Sequence, residues 1–178
     1  MFRLLCAACV VGALTLSGCS GASQDNRPDT PTSIAAYPDL PHFEGDLAVT
    51  LVPALREVSD GRCTPDDDHG CSPDGTESFR MLGERQPATV VEALTAPSAD
   101  HTSWTTTVRL DAGSESHLTD AQDQAAGFGG VVLVMAGDPE DRQVLAVAKP
   151  QEIQGKRLDF LGLEKAEAWA IVDAFAAV

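Results

Sequence analysis

Cations are scarce in this sequence: 12 Lys and Arg stand against 27 Asp and Glu, a formal net charge of −15 at pH 7. A nucleic-acid-binding surface needs clustered Lys and Arg to displace counterions from phosphates, and no such cluster occurs. The same deficit argues against an electrostatic hold on anionic lipid. Histidine occurs at His42, His69, His101 and His117 only, on polar stretches and without a His-Glu-x-x-His pair, so each reads as a surface residue. A Gly-x-Ser-x-Gly elbow, a phosphate loop and a dinucleotide fingerprint are all missing. Without a candidate nucleophile–base pair the expectation is a protein that is not an enzyme and uses no cofactor. The sequence also lacks internal repeats and any run long enough to cross a membrane. Its longest uncharged apolar stretch, residues 4–16, would span roughly 20 Å as a helix against a hydrocarbon core of roughly 30 Å.

That short run has a different use. Arg3 precedes it and Leu16-Ser17-Gly18-Cys19 follows it, giving the three parts of an export signal in order. Leu-Ser-Gly-Cys resembles the bacterial lipobox, in which small residues admit the processing enzymes and the thiol takes up a diacylglyceryl group. The resemblance implies removal of residues 1–18 and lipidation of Cys19. The expected partner at that end is the lipid bilayer, reached through acyl chains on Cys19, with the protein on the extracytoplasmic face of the cell membrane. Two or more chains make such anchoring stable.

Processing would leave 160 residues, enough for one folded domain. Residues 19–46 read as the lipidated N-terminus and a disordered tether, with Pro28, Pro31, Pro38 and Pro41 among small polar residues. As a coil it would hold the domain about 30 Å from the membrane, and stretched about 90 Å. Tyr37, Leu40 and Phe43 near its end are suited to docking on the domain. Cys6 and Cys9 would leave with the signal, so Cys63 and Cys71 remain as one pair in an oxidising compartment, where a disulfide is the default.

Residues 47–178 read as the folded unit. Residues 47–58 form a strand, which Pro53 confines to an edge or marks with a bulge. A loop over 59–77 is rich in Asp, Gly and Pro. A short extended piece follows at 79–82, then a short helix suggested by Pro87, Val90, Val91 and Leu94. Residues 104–110 alternate bulky and polar side chains with many β-branched ones, which specifies a strand. Residues 114–126 read as a surface helix stopped by Gly127. The continuous apolar run 131–135 is a strand buried on both faces, and 144–148 pairs back on it across a turn at 137–142. A short strand at 158–161 and a helix over 163–177, with Ala168, Ile171, Val172 and Phe175 on its apolar side, close the chain. The fold class is α+β, a small mixed or antiparallel sheet with helices on one face.

The acidic loop carries one metal-like spacing. With Asp66 at position one of a calcium loop, Asp68 falls at three, Asp74 at nine and Glu77 at twelve. Position six, where the sharp turn needs glycine, is Cys71, so an acidic solvated loop without metal is the expectation and a ligand- or Ca²⁺-binding role for the 63–77 loop is the alternative.

From residue 131 to 175 the order is an apolar strand, a turn, a strand ending in Ala148-Lys149-Pro150, Ile153-Gln154-Gly155, a short strand and an Ala-rich helix. This resembles the head region of the first large extracytoplasmic domain of SecD and SecDF, the export-assisting membrane proteins. The strand from Trp104 to Asp111 and the helix after Gly113 match the preceding part of that pattern. Together with the leading strand and the cysteine loop, the whole looks like a stand-alone actinobacterial lipoprotein bearing a SecD-head-like domain. The turn is expanded by Pro139-Glu140-Asp141-Arg142, and Gly155 stands alone where that family often has a glycine pair. No transmembrane run follows, so proton-driven pulling is not carried over. What the resemblance implies is a non-catalytic, protein-binding envelope lipoprotein with an accessory role in export, its partners being translocon components or exported polypeptides.

Overall fold

The computed structural model describes residues 39–58, 62–137 and 142–178; the expected signal, Cys19, the tether as far as Pro38 and most of the 137–142 turn lie outside them. The first strand, β1 (His42–Glu57), is sixteen residues long. It has partners on both edges. Along one edge run β4 (Gln86–Pro97), opposite His42 to Leu51, and then β3 (Ser78–Met81), opposite Ala54 to Glu57, both antiparallel. Along the other edge β6 (Val131–Ala136) opposes Thr50 to Ala54, and β7 (Gln143–Ala148) continues outward from β6. The sheet extends past β4 through β5 (Trp104–Leu110) and β9 (Arg157–Leu163) to the two-residue β8 (Ile153–Gln154), while β2 (His69–Cys71) pairs with β3. The result is an α+β fold in which, among the described residues, nine antiparallel strands form one open sheet.

Pro53 therefore sits in a central strand and not at an edge. In an antiparallel strand the N–H and C=O of one residue point to the same side. The Pro53 carbonyl accepts from the backbone N–H groups of Leu82 (3.0 Å) and Gly83 (3.2 Å), so its missing donor faces the break between β3 and β4. The irregularity lies in the partner strand, and the β6 ladder on the other edge is left whole. Residues 42–46, which composition assigns to the tether, belong to β1.

Residues 87–94, expected as a short helix, are strand. Register with both neighbours of β4 shifts between Val90 and Glu92. This bulge places Val90 and Ala93 in the same core, an i, i+3 spacing that mimics helical periodicity in the sequence.

Both helices cover one face. α1 (Glu115–Gly127) buries Leu118, Ala121 and Ala125, and α2 (Lys165–Ala176) buries Ala168, Val172 and Phe175. Beneath them lie Leu51, Val90, Val108, Leu110, Val134 and Leu158. Fully burying a side chain such as Phe175 contributes about 1.5–3 kcal/mol. The Thr106 hydroxyl donates to the Ala168 carbonyl of α2 at 3.1 Å, so this buried polar side chain is satisfied. At the N-terminus of α2, Trp169 meets Trp104 edge-on with ring centres 6.5 Å apart, and the Lys165 ammonium lies 4.5 Å from the Trp169 ring centre. A second, smaller core occupies the opposite face, where Val52, Ala54, Leu133, Met135 and Val144 meet Phe79 of β3. β6 is buried on both faces, as its unbroken apolar run requires.

α1 runs through Gly127, and the left-handed turn that follows falls on Gly129, with φ +72°. Gly130 then passes so close to β1 that an added Cβ would lie 2.3 Å from the Ala54 carbonyl oxygen. That neighbour is backbone within a paired strand and cannot step aside.

One six-residue turn occurs twice. In residues 72–77 the Ser72 hydroxyl and the Thr76 N–H and hydroxyl all donate to the Asp74 carboxylate, and the Glu77 N–H donates to Ser72 Oγ. In residues 98–103, which join β4 to β5, Ser98, Thr102 and Asp100 repeat these bonds and the Ser103 N–H donates to Ser98 Oγ. The Ser98 hydroxyl, aided by Thr102, holds the Asp100 carboxyl down at about 2, so the turn keeps these bonds above the ordinary carboxylate range and loses them as pH falls through that value. The fourth residue is left-handed in both: Gly75 (φ +71°) and His101 (φ +56°).

Two outcomes are expected in urea unfolding. Gly130→Ala destabilises the fold by about 1–3 kcal/mol through overpacking. His101→Gly stabilises it by about 1 kcal/mol by relieving the left-handed conformation; unchanged midpoints for either would contradict these packing assignments.

Candidate functional site

The loop between β1 and β3 folds back onto the sheet instead of extending into solvent. Cys63 and Cys71 are joined by a disulfide, and the Cys63 N–H donates to the Gly75 carbonyl at 3.1 Å. β2 then lies against the second core. Gly70 makes this approach possible: a Cβ there would stand 3.0 Å from Leu133 Cδ1 and 3.2 Å from Val144 Cγ2. Between this loop and the β6–β7 hairpin lies an open cleft of about 530 Å³. Met81, Met135 and Val144 supply its apolar side, while Asp66, Asp67, His69 and Arg142 supply charge.

The electrostatics centre on His69. Its Nδ1 is 2.9 Å from Asp66 Oδ1, and its Nε2 is 3.4 Å from Glu57 Oε2 at the end of β1. Arg80, the register partner of His69 on β3, places Nε 3.2 Å from Glu57 Oε1. The hydrogen bond to Asp66 holds the imidazolium pKa above its ordinary 6.5, against a smaller opposing effect of burial. The same bond, with the backbone N–H of Asp68, holds the Asp66 carboxyl below its ordinary value.

The calcium spacing does not become a cage. Asp66 Oδ1 caps its own loop, accepting from the N–H groups of Asp68 and His69, each at 2.8 Å. Asp74 is taken up by Ser72 and Thr76, whose hydrogen bonds lower its pKa, with Ser72 the larger cause. Glu77 pairs with Arg56 at 3.1 Å, and Asp68 uses its carbonyl to accept from the Met81 N–H. Among the described residues no group of three or more His, Cys, Asp or Glu side chains converges as a metal site would require. The remaining histidines are scattered: His42 Nδ1 lies 3.0 Å from the Leu40 carbonyl, His117 Nδ1 lies 2.6 Å from that of Pro87, and His101 is in the repeated turn. Cys19 lies outside the described residues.

Sequence reasoning marks the loop but misses the wall opposite it. Met135, Arg142 and Val144 are far from the loop in sequence, and only the fold brings them to it; Met81 follows the loop on β3. His69 carries a weak local signal, three aspartates immediately before it.

No protein-family model matches the chain, and no curated protein or solved structure matches it. The resemblance to the SecD head therefore rests on the sequence pattern alone.

The disulfide closes a loop worth about 2.5 kcal/mol on the chain-entropy account. Replacing both cysteines by alanine is expected to lower unfolding stability by about 2–3 kcal/mol. A double variant as stable as the parent in urea would show that the loop is held by its backbone bonds alone.

Proposed function

We propose that this chain is a lipid-anchored envelope protein, held at the extracytoplasmic membrane face through Cys19, whose domain binds polypeptide without catalysis and serves protein export as an accessory. The observation that supports this most is the cleft beside the disulfide loop. Two methionines and a valine give it an apolar side that can repack around different side chains. Asp66 and Asp67 on its rim, in a chain of net charge −15, favour extended segments carrying Lys or Arg. Such a surface suits a client recognised by general character and not by one sequence. The export signal and the SecD-like pattern supply the setting, in which the expected clients are exported chains in transit or translocon components.

The test is photo-cross-linking in the intact envelope, with Asp67 replaced by a photo-reactive phenylalanine analogue and Asp120 on α1 as the control position. Adducts to exported chains or translocon subunits from position 67 and not from 120 are the expected result. Equal labelling from both positions, or none from either, would remove the cleft as the binding site.

A further inference from the structure

A neutral imidazole has one N–H and one bare nitrogen, so it can donate to only one of two flanking carboxylates. His69 has a carboxylate at each ring nitrogen: Asp66 within its own loop, and Glu57 on β1. Only the imidazolium turns an N–H toward both, Asp66 as a hydrogen bond at 2.9 Å and Glu57 as an ion pair at 3.4 Å, and any neutral tautomer turns a lone pair toward one of them. We propose that His69 is a proton-operated latch, which as an imidazolium ties the disulfide loop to the end of β1 and on deprotonation releases that wall of the cleft.

The groups facing His69 come from three elements. Asp66 and Asp68 lie on its loop, Glu57 on β1, and Arg80 on β3, with Arg80 engaging the other oxygen of Glu57. Across the cleft stands Arg142. The three carboxylates favour the proton, Asp66 and Glu57 from within ion-pair distance, and the two guanidiniums oppose it. Sign follows from this. The group's pKa is raised in the fold, so the latch is fully closed below the ordinary histidine value of 6.5 and opens as pH rises through the higher folded value. The cleft wall is therefore tight in a mildly acidic envelope and loose in an alkaline one. This holds whether or not the cleft takes polypeptide, since the latch is a property of the loop itself.

Two measurements on the full chain test it. An NMR titration of the His69 ring gives its midpoint, expected above 6.5 and expected to fall in Glu57→Gln. The rate at which a phosphine reductant opens the Cys63–Cys71 bridge reports on the loop. Divided by the rate of His69→Gln at the same pH, which cancels the reagent's own titration, it is expected to rise severalfold between about pH 5.5 and about pH 8.5. A His69 midpoint at or below 6.5, a midpoint unmoved in Glu57→Gln, or a flat ratio would each overturn the latch. Should either variant fold poorly, the titration of the unaltered chain still decides.

Discussion

The structure depends on one constraint: β1 must be paired along both edges although it contains a proline. A buried central strand cannot leave backbone donors or acceptors without partners, because each costs about 1–3 kcal/mol. Pro53 removes a donor, and the fold places that gap where the opposite strand is itself interrupted, between β3 and β4. Much follows from this. The interruption lets Leu82 and Gly83 turn in toward Pro53. It also marks where burial changes face along β1, from Val49 and Leu51 under the helices to Val52 and Ala54 over the second core. One strand thus serves two cores, and β6, lying against that same stretch, is buried on both sides.

The second core explains the acidic loop. Apolar Val52, Leu133, Met135 and Val144 on the face away from the helices need cover, and β3 and β2 provide it. A loop this polar can lie on an apolar surface only if its backbone is satisfied internally, and that is where its carboxylates go. Asp66 takes three donors from its own loop, and Asp74 takes three more. The residue types that suggest a cation site from spacing are those that a short, glycine-rich, strand-poor loop needs to hold its shape.

Much of the fold was legible in the sequence because its signals were local. The strand from Trp104 to Leu110, the doubly buried strand from Val131, the hairpin return and both helices carry unbroken periodicity of one kind. β4 was not legible because its bulge replaces a period of two by a spacing of three. The central position of β1 was hidden because proline statistics describe strands whose partners are continuous. Half of the cleft was readable: the disulfide and its loop follow from two cysteines, Cys63 and Cys71, close together in a loop-forming stretch. The wall formed by Met81, Met135 and Val144 was not, since no local pattern records which strands a nine-stranded sheet brings together. The repeated Ser-x-Asp-x-Thr turn escaped notice because its two copies are only six residues long and one has histidine in place of glycine.

The distribution of charge bears on what such a surface can meet. Among the described residues Arg56, Arg80, Arg109, Lys149 and Arg157 each lie within ion-pair distance of a carboxylate. These five cations thus brace strands and loop, in a chain where 27 acids outnumber 12 bases. Where such pairs are exposed, as at Arg56 and Arg80, they add little stability, about 0–1 kcal/mol each. They also reduce the number of cations that face solvent without a carboxylate beside them, in a chain whose net charge is −15. On the proposed reading, a partner drawn to this domain over distance is basic, and the attraction fades beyond about 8 Å at physiological salt. On that reading short-range contact holds the partner, and beside the disulfide loop the apolar side chains of Met81, Met135 and Val144 line a cleft with acids on its rim. In the proposed binding, steering by the acids and retention by the methionines are separable contributions, the first sensitive to salt and the second to the width of the cleft.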